Sequence, residues 1–373
     1  MSPRTPRRAA TRAGRGAAPA GRNATLQFLE DLVEAHGVPG AEGPVAEVMA
    51  GYLQGVGPIS RDRLGSFICE KRGASASPRV MLAGHLDEVG FMVRSVTKEG
   101  FVKFLALGGW WGHVVLGQRL IIKTRRGDVI GVVGSKPPHE LRDDDRKRVL
   151  EIRDLYIDVG ATSDWDVRKH LDIRPGDAVI PDSHFTVMAN PNLLLAKAWD
   201  NRIGCAMAAE TAKQLQGEAH PNTLFAVATV QEEVGLRGAQ TSAFKIQPDV
   251  AVALDVGIAH DTPGTDGDEK LGGGPLVVAY DSSAIPNRNL LDLVDDTAKK
   301  LKLPLQFETI ERGGTDAGRI HMIGQGVPTI SMGVASRYIH SHVSIIDRRD
   351  FDATVKLLVA LVKRLDARTV AKL

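Results

Sequence analysis

TLFAVATVQEEVGLRGA, residues 223–239, decides how this chain is read. It opens as an apolar run of strand length and passes directly into two adjacent carboxylates, Glu232 and Glu233, and then a glycine. A short apolar run of this kind suits a strand inside an α/β sheet. Two like charges where such a strand meets its loop repel each other and resist desolvation. Either the turn is solvated and merely acidic, or one carboxylate serves a metal and the other a proton.

The flanking sequence supports an α/β fold. RVMLAGH (residues 79–85), DVAVALDVG (249–257) and VPTISMG (327–333) read as further strands. LQFLEDLVEAHG (26–37) places apolar residues at helical spacing and ends on glycine, and IGCAMAAETAKQL (203–215) and DFDATVKLLVALVKRLDA (350–367) also read as helices. Strands alternating with helices predict a sheet covered on both faces. Residues 88–183 differ in texture. Short β-type runs such as FVKFLAL and QRLIIKT lie between glycines and prolines, interrupted by a charged, helical-looking DDDRKRVLEIRDL (143–155). The expectation is a catalytic α/β domain from residues 23–87 and 184–373, with a small β-barrel-like domain inserted at 88–183.

The chain has 373 residues and a formal charge of +2, but residues 1–22 carry six arginines and no acid, which leaves about −4 for the remainder. The basic segment lacks the apolar centre of a secretory signal and reads as a disordered tail. Nucleic-acid binding is therefore not expected. No apolar stretch has membrane-spanning length, so no membrane partner is expected. Two cysteines cannot form a disulfide framework and suit a reducing compartment, the cytoplasm.

Several ionisable residues fall at or just past predicted strand ends, where open α/β sheets bind ligands. These are His85 and Asp87, Asp200, the Glu232–Glu233 pair, Asp255, and His340 with His342. Singly, each has an ordinary explanation: Asp200 as a helix cap, Asp255 as turn chemistry, a histidine as a surface residue. Together they form a nitrogen and oxygen donor set suited to zinc, cobalt or manganese, with enough ligands for two ions. Asp87, two residues after His85, could orient that imidazole. One glutamate would bind metal and the other would act as a base.

These segments resemble the M42 family of metallo-aminopeptidases, which includes the self-compartmentalising TET peptidases. The resemblance rests on GHLDEVGFMV (84–93), KAWDNRIGC (197–205), VQEEVGLRGA (230–239), ALDVGIAHDTPG (253–264), GGGPLVVAYD (272–281), GGTDAGRIHMIGQGVPTISMG (313–333) and RYIHSHVSIID (337–347). It implies an αβα sandwich of the zinc-peptidase type and two divalent ions per subunit, zinc or cobalt. His85 and Asp255 would each bind one of the two ions, Asp200 would bridge both, and Glu233 and His340 would bind the other. A cis peptide is implied at Asp200–Asn201. Glu232 would be the general base and Asp87 would orient His85. His342, where many members carry proline, would be a bystander. Thr315 and Asp316 would either hold a substrate end or cap a helix. The implied activity is removal of N-terminal residues from peptides, with a related di-metal deacylase or carboxypeptidase as the alternative. The inserted domain would mediate dimerisation, and dimers could assemble into a tetrahedral dodecamer.

Overall fold

The computed structural model describes residues 24–373, so the basic segment 1–22 lies outside the described residues. Among the described residues, eleven strands form one mixed sheet. Its centre is parallel: Thr223–Thr229, Arg79–His85, Val250–Ile258 and Thr329–Arg337 lie side by side in that order. Each is almost wholly buried, as their apolar runs predict. Antiparallel strands flank this centre, Phe67–Arg72 on one side and Ser344–Asp347 on the other.

One face of the sheet carries the helices Ala24–Glu34, Gly43–Tyr52, Trp199–Gln214, Arg288–Leu301 and Arg348–Arg364, packed around one large apolar core. The other face is covered by Arg237–Ile246 and the single turn Ala317–Ile320 over a smaller core. The layering is αβα, as the alternation of elements predicts.

Trp199–Gln214 is buried along nearly its whole length, which is why its sequence shows no polar stripe. It lies directly on the sheet. A Cβ on Gly84 would come within 2.5 Å of backbone atoms of Gly204 and Cys205, and one on Gly204 within 2.4 Å of the Leu254 carbonyl. These two glycines let the helix start pack directly against the strands that carry His85 and Asp255. The helix opens irregularly, with Asp200 and Asn201 outside helical backbone angles and a cis peptide between them.

Six strands between Gly90 and Pro181 close into a separate barrel. Its order is Gly90–Val96, Val102–Leu107, Tyr156–Asp158, Gly127–Gly134, Arg119–Thr124, Ala178–Pro181, with the last pairing back to the first. It has its own core, in which Phe91 meets Phe104 edge-on and stacks on Trp110. The expected helix at 143–155 is reduced to one turn, Asp143–Arg146, and a 3₁₀ turn, Ile152–Asp154. Residues 143–148 are all charged, so the first half of a longer helix would have no apolar stripe to bury.

Candidate metal centre

The carboxyl ends of the parallel strands gather the predicted residues in one place. His85 is the last residue of its strand and pairs in register with Thr229, three residues before Glu232. Asp255 lies two residues past the Ala253–Ala83 pair, level with His85 along the sheet. Asp200 arrives on the helix Trp199–Gln214, and His340 follows Thr329–Arg337 in left-handed backbone, φ 55°.

Asp200 stands between the two histidines. Its Oδ1 is 3.2 Å from His85 Nε2 and its Oδ2 is 3.3 Å from His340 Nε2. Among the described residues, three sets of side chains are close enough to share a cation: His85, Asp200 and Asp255; Asp200, Glu233 and His340; and His85, Glu232 and Glu233. Asp200 belongs to the first two, one oxygen toward each. Glu232 Oε2 lies 3.8 Å from His85 Nε2, and Glu233 Oε1 lies 3.9 Å from His340 Nε2.

The second donor of each histidine is fixed by a backbone carbonyl. His85 Nδ1 is 3.0 Å from the Asp87 carbonyl, and His340 Nδ1 is 2.8 Å from that of Gly109, a residue of the barrel segment. Both Nε2 atoms are thereby turned to the cluster. The Asp87 carboxylate stands 3.6 Å from His85 Nδ1. Its closer contacts are elsewhere: Oδ1 accepts the Glu232 N–H at 3.0 Å and Oδ2 accepts the Glu233 N–H at 3.1 Å. Glu42 Oε1 accepts the preceding N–H, that of Gln231, at 3.1 Å. Three successive backbone N–H groups are thus each taken up by a carboxylate.

The electrostatics are those of crowded acids. Burial, then the negative charge of Asp200, pushes Glu233 up to about 8. Burial, reinforced by Asp255, Asp316 and Glu233, holds Glu232 well above the carboxylate range despite His85 nearby. Burial and Asp200 do the same to Asp255. Burial works against the charged form of Asp200 too, but the two histidines hold its carboxyl well below the usual range. His340 is depressed by burial and raised more strongly by Asp200 and Glu233, reaching about 10. Glu233 Oε1 is buried with no hydrogen-bond partner among the described residues. An unpaired carboxylate oxygen among mixed nitrogen and oxygen donors fits a divalent cation.

The remaining predicted residues lie outside the cluster. Thr315 lines the cleft, but its hydroxyl is engaged by Asp281 at 3.0 Å and Ser331 at 2.6 Å. Asp316 is buried behind the site on the Thr229 hydroxyl and makes no side-chain cap. His342 is in none of the three donor sets. His260, five residues past Asp255, pairs with Glu269 at 2.9 Å. The cleft, about 540 Å³, is walled beyond the cluster by Leu236, Ile258, Glu308, Ile310, Arg312 and Ile339. Leu236, Ile258 and Ile339 fall within the motifs quoted above, whereas Glu308, Ile310 and Arg312 fall in none. For Glu308 one signal existed: in LQFETI the strand alternation sets it on the same face as the buried Gln306.

Residues 65–357 match the M42 glutamyl aminopeptidase family. The chain is 38% identical over 349 residues to glutamyl aminopeptidase of Lactococcus lactis subsp. cremoris (strain MG1363), covering 92% of this chain and 98% of that protein. Its structure resembles the TET aminopeptidase of the marine sediment archaeon Thaumarchaeota archaeon SCGC AB-539-E09, with a TM-score of 0.91, 43% identity, and 93% and 99% of the two chains covered. It also resembles the TET1 peptidase of Pyrococcus horikoshii, at a TM-score of 0.82 and 31% identity over 92% and 100% of the chains; that peptidase can assemble into a tetrahedron or a large octahedral shell. Strand-end histidines and carboxylates on this αβα frame define a peptide hydrolase of the metal-dependent class. Within that class, the chain belongs to the M42 aminopeptidase family.

Proposed function

We propose that this chain removes N-terminal residues from peptides at a centre for two divalent cations, zinc or cobalt. His85, Asp200 and Asp255 would hold one ion, and Asp200, Glu233 and His340 the other. The observation that carries this reading is the divided Asp200 carboxylate, with one oxygen 3.2 Å from His85 and the other 3.3 Å from His340. When bound, such ions supply Lewis acidity that polarises a carbonyl and acidifies water.

The chain's own groups supply the proton traffic. Glu232, which the two-ion reading leaves free of ligation, takes a proton from the attacking water and returns it to the departing amine. Its backbone anchor on Asp87 fixes where its carboxylate can swing. The carboxylates around the cleft favour a free, cationic α-amino group on the substrate. That preference makes the reaction an exopeptidase cleavage.

We further infer that the barrel domain, residues 88–183, is the dimerisation surface. Its exposed apolar side chains, Leu105, Trp111, Ile130, Val132 and Trp165, support this. Both cysteines are free and buried, in keeping with a cytoplasmic setting, and no described helix is long and apolar enough to cross a membrane.

The test is amine release from unblocked and N-acetylated peptides by zinc- or cobalt-loaded protein, before and after chelation. Chelator-sensitive cleavage of the unblocked set alone is expected. Cleavage of acetylated substrates instead would assign a deacylase.

A further inference from the structure

Resting on the aminopeptidase reading, we propose that Glu308 makes the subsite for the substrate's first side chain selective for cationic residues, lysine and arginine. Glu308 lines the cleft yet is only 4% exposed. Its Oε1 accepts the Ile258 N–H at 3.0 Å, while Oε2 is buried with no hydrogen-bond partner among the described residues. A buried carboxylate oxygen without a partner is costly, and a ligand that supplies a donor recovers that cost.

Its position follows from Gly257. A Cβ on Gly257 would stand 2.0 Å from Glu308 Oε2. The carboxylate therefore occupies the space that a side chain at position 257 would fill. Residue 257 is the second after Asp255 on the same strand, so its side-chain space lies on the same face, about 6.6 Å further along. The strand thus presents two carboxylates in line, Asp255 in the metal cluster and Glu308 one repeat beyond. A lysine carries its ammonium on a four-carbon stem suited to that interval. Ile258, Ile310 and Ile339 offer apolar wall for the methylenes.

The opposing charge in this wall is Arg312, which favours an acidic side chain. It is exposed at the rim, where water and salt weaken its field. Glu308 is buried, so water screens it less; burial and then Glu269 push its carboxyl up, and an ammonium or guanidinium brought to Oε2 would favour its charged form. Glu269, adjoining Glu308, adds to the negative field there, and His260 offsets part of it.

The experiment uses the full-length, metal-loaded enzyme with the fluorogenic aminoacyl amides of lysine, arginine, leucine and glutamate. The expected kcat/KM for lysine and arginine is at least tenfold above that for glutamate and leucine. Glu308→Gln, which keeps an acceptor for the Ile258 N–H, should lower the lysine-to-leucine ratio at least tenfold, mainly through KM. Arg312→Gln should keep the cationic residues first. A wild-type preference for glutamate or leucine, or an unchanged ratio in Glu308→Gln, would overturn the assignment of Glu308 while leaving the aminopeptidase reading intact. Cleavage of none of the four by the metal-loaded protein would remove the aminopeptidase reading itself.

Discussion

Asp87 holds Glu232 by its backbone: Asp87 Oδ1 accepts the Glu232 N–H at 3.0 Å, and Oδ2 takes the next N–H, that of Glu233, at 3.1 Å. His85 Nδ1 is served by the Asp87 carbonyl at 3.0 Å, with the carboxylate farther off at 3.6 Å. One residue therefore fixes a histidine with its main chain and both glutamates with its side chain. An asparagine at position 87 could accept only one of the two N–H groups and would turn its amide against the other. Such a buried mismatch costs about 1–3 kcal/mol. We expect Asp87→Asn to lower kcat about 10–100-fold. Metal content should fall less than turnover, because the His85 contact through the carbonyl survives. Parallel kinetics and elemental analysis would check this; complete metal loss would mean that the carboxylate serves His85 first.

Glu232 and Asp200 should separate chemistry from metal retention. Glu232→Gln keeps the shape and removes the base, so turnover should drop by about 10²–10⁴-fold with metal content nearly unchanged. Asp200→Ala removes the carboxylate that stands between both histidines and should lose metal. Measuring bound metal and single-turnover rates on the two variants tests the assignment, and an active Glu232→Gln enzyme would remove Glu232 from its role.

The crowded acids predict how metal binding responds to pH. Without metal, His340 sits near 10 and Glu233 near 8, both above their ordinary 6.5 and 4.5. Both groups are protonated at pH 7 and must lose those protons to act as ligands. Loading should therefore release protons, and affinity should climb with pH through 8 toward 10. Stability of the metal-free protein should move the other way. The folded state binds these protons more tightly than the unfolded chain. The stability they contribute is full below about 4.5 and 6.5 and is lost as pH rises through 8 and 10. Calorimetric titration in buffers of different ionisation enthalpy, and thermal unfolding from pH 5 to 9 with chelator, would measure both trends.

The sequence was most legible where chemistry and periodicity coincide. The apolar runs ending in His85, Asp255 and the Glu232–Glu233 pair fall at strand ends, so both the sheet and the cluster could be read from them. Asp200 needed the family resemblance, since alone it reads as a helix cap. Asp87 was singled out for its spacing from His85, but its bonds to the Glu232 and Glu233 N–H groups depend on the strand register, which spacing does not reveal. Glu308 is about 50 residues from Asp255 in sequence and meets the cleft only because Gly257 lacks a side chain. The short antiparallel strands, such as Ser344–Asp347 and Leu193–Ala196, are pinned by their partners rather than by their own pattern.

Glu88 is the counter-ion on which the rear of the site depends. It is buried between two cations that flank Asp200 in sequence: Lys197 at 2.6 Å and Arg202 at 2.9 Å, with the Gly37 N–H at 3.3 Å. Arg202 is otherwise satisfied by the carbonyls of Leu32, Ala35, Leu86 and Gly37. Among the described residues Lys197 hydrogen-bonds only the Ala35 carbonyl besides Glu88, and burial already draws its pKa down to about 8 against the pull of Glu88. Glu88→Gln leaves that ammonium buried without a counter-charge, a change that costs about 3–5 kcal/mol when one partner of a buried pair is removed. The helix start carrying Asp200 and the strand end carrying Asp87 are joined through this group, so metal affinity should fall with stability. Pairing Glu88→Gln with Lys197→Met removes the stranded charge and should recover part of the lost stability. Urea unfolding of the wild type, the single variant and the double variant, in chelator, would decide the point: a single variant as stable as the wild type would show that Glu88 is not the group that holds these two elements together.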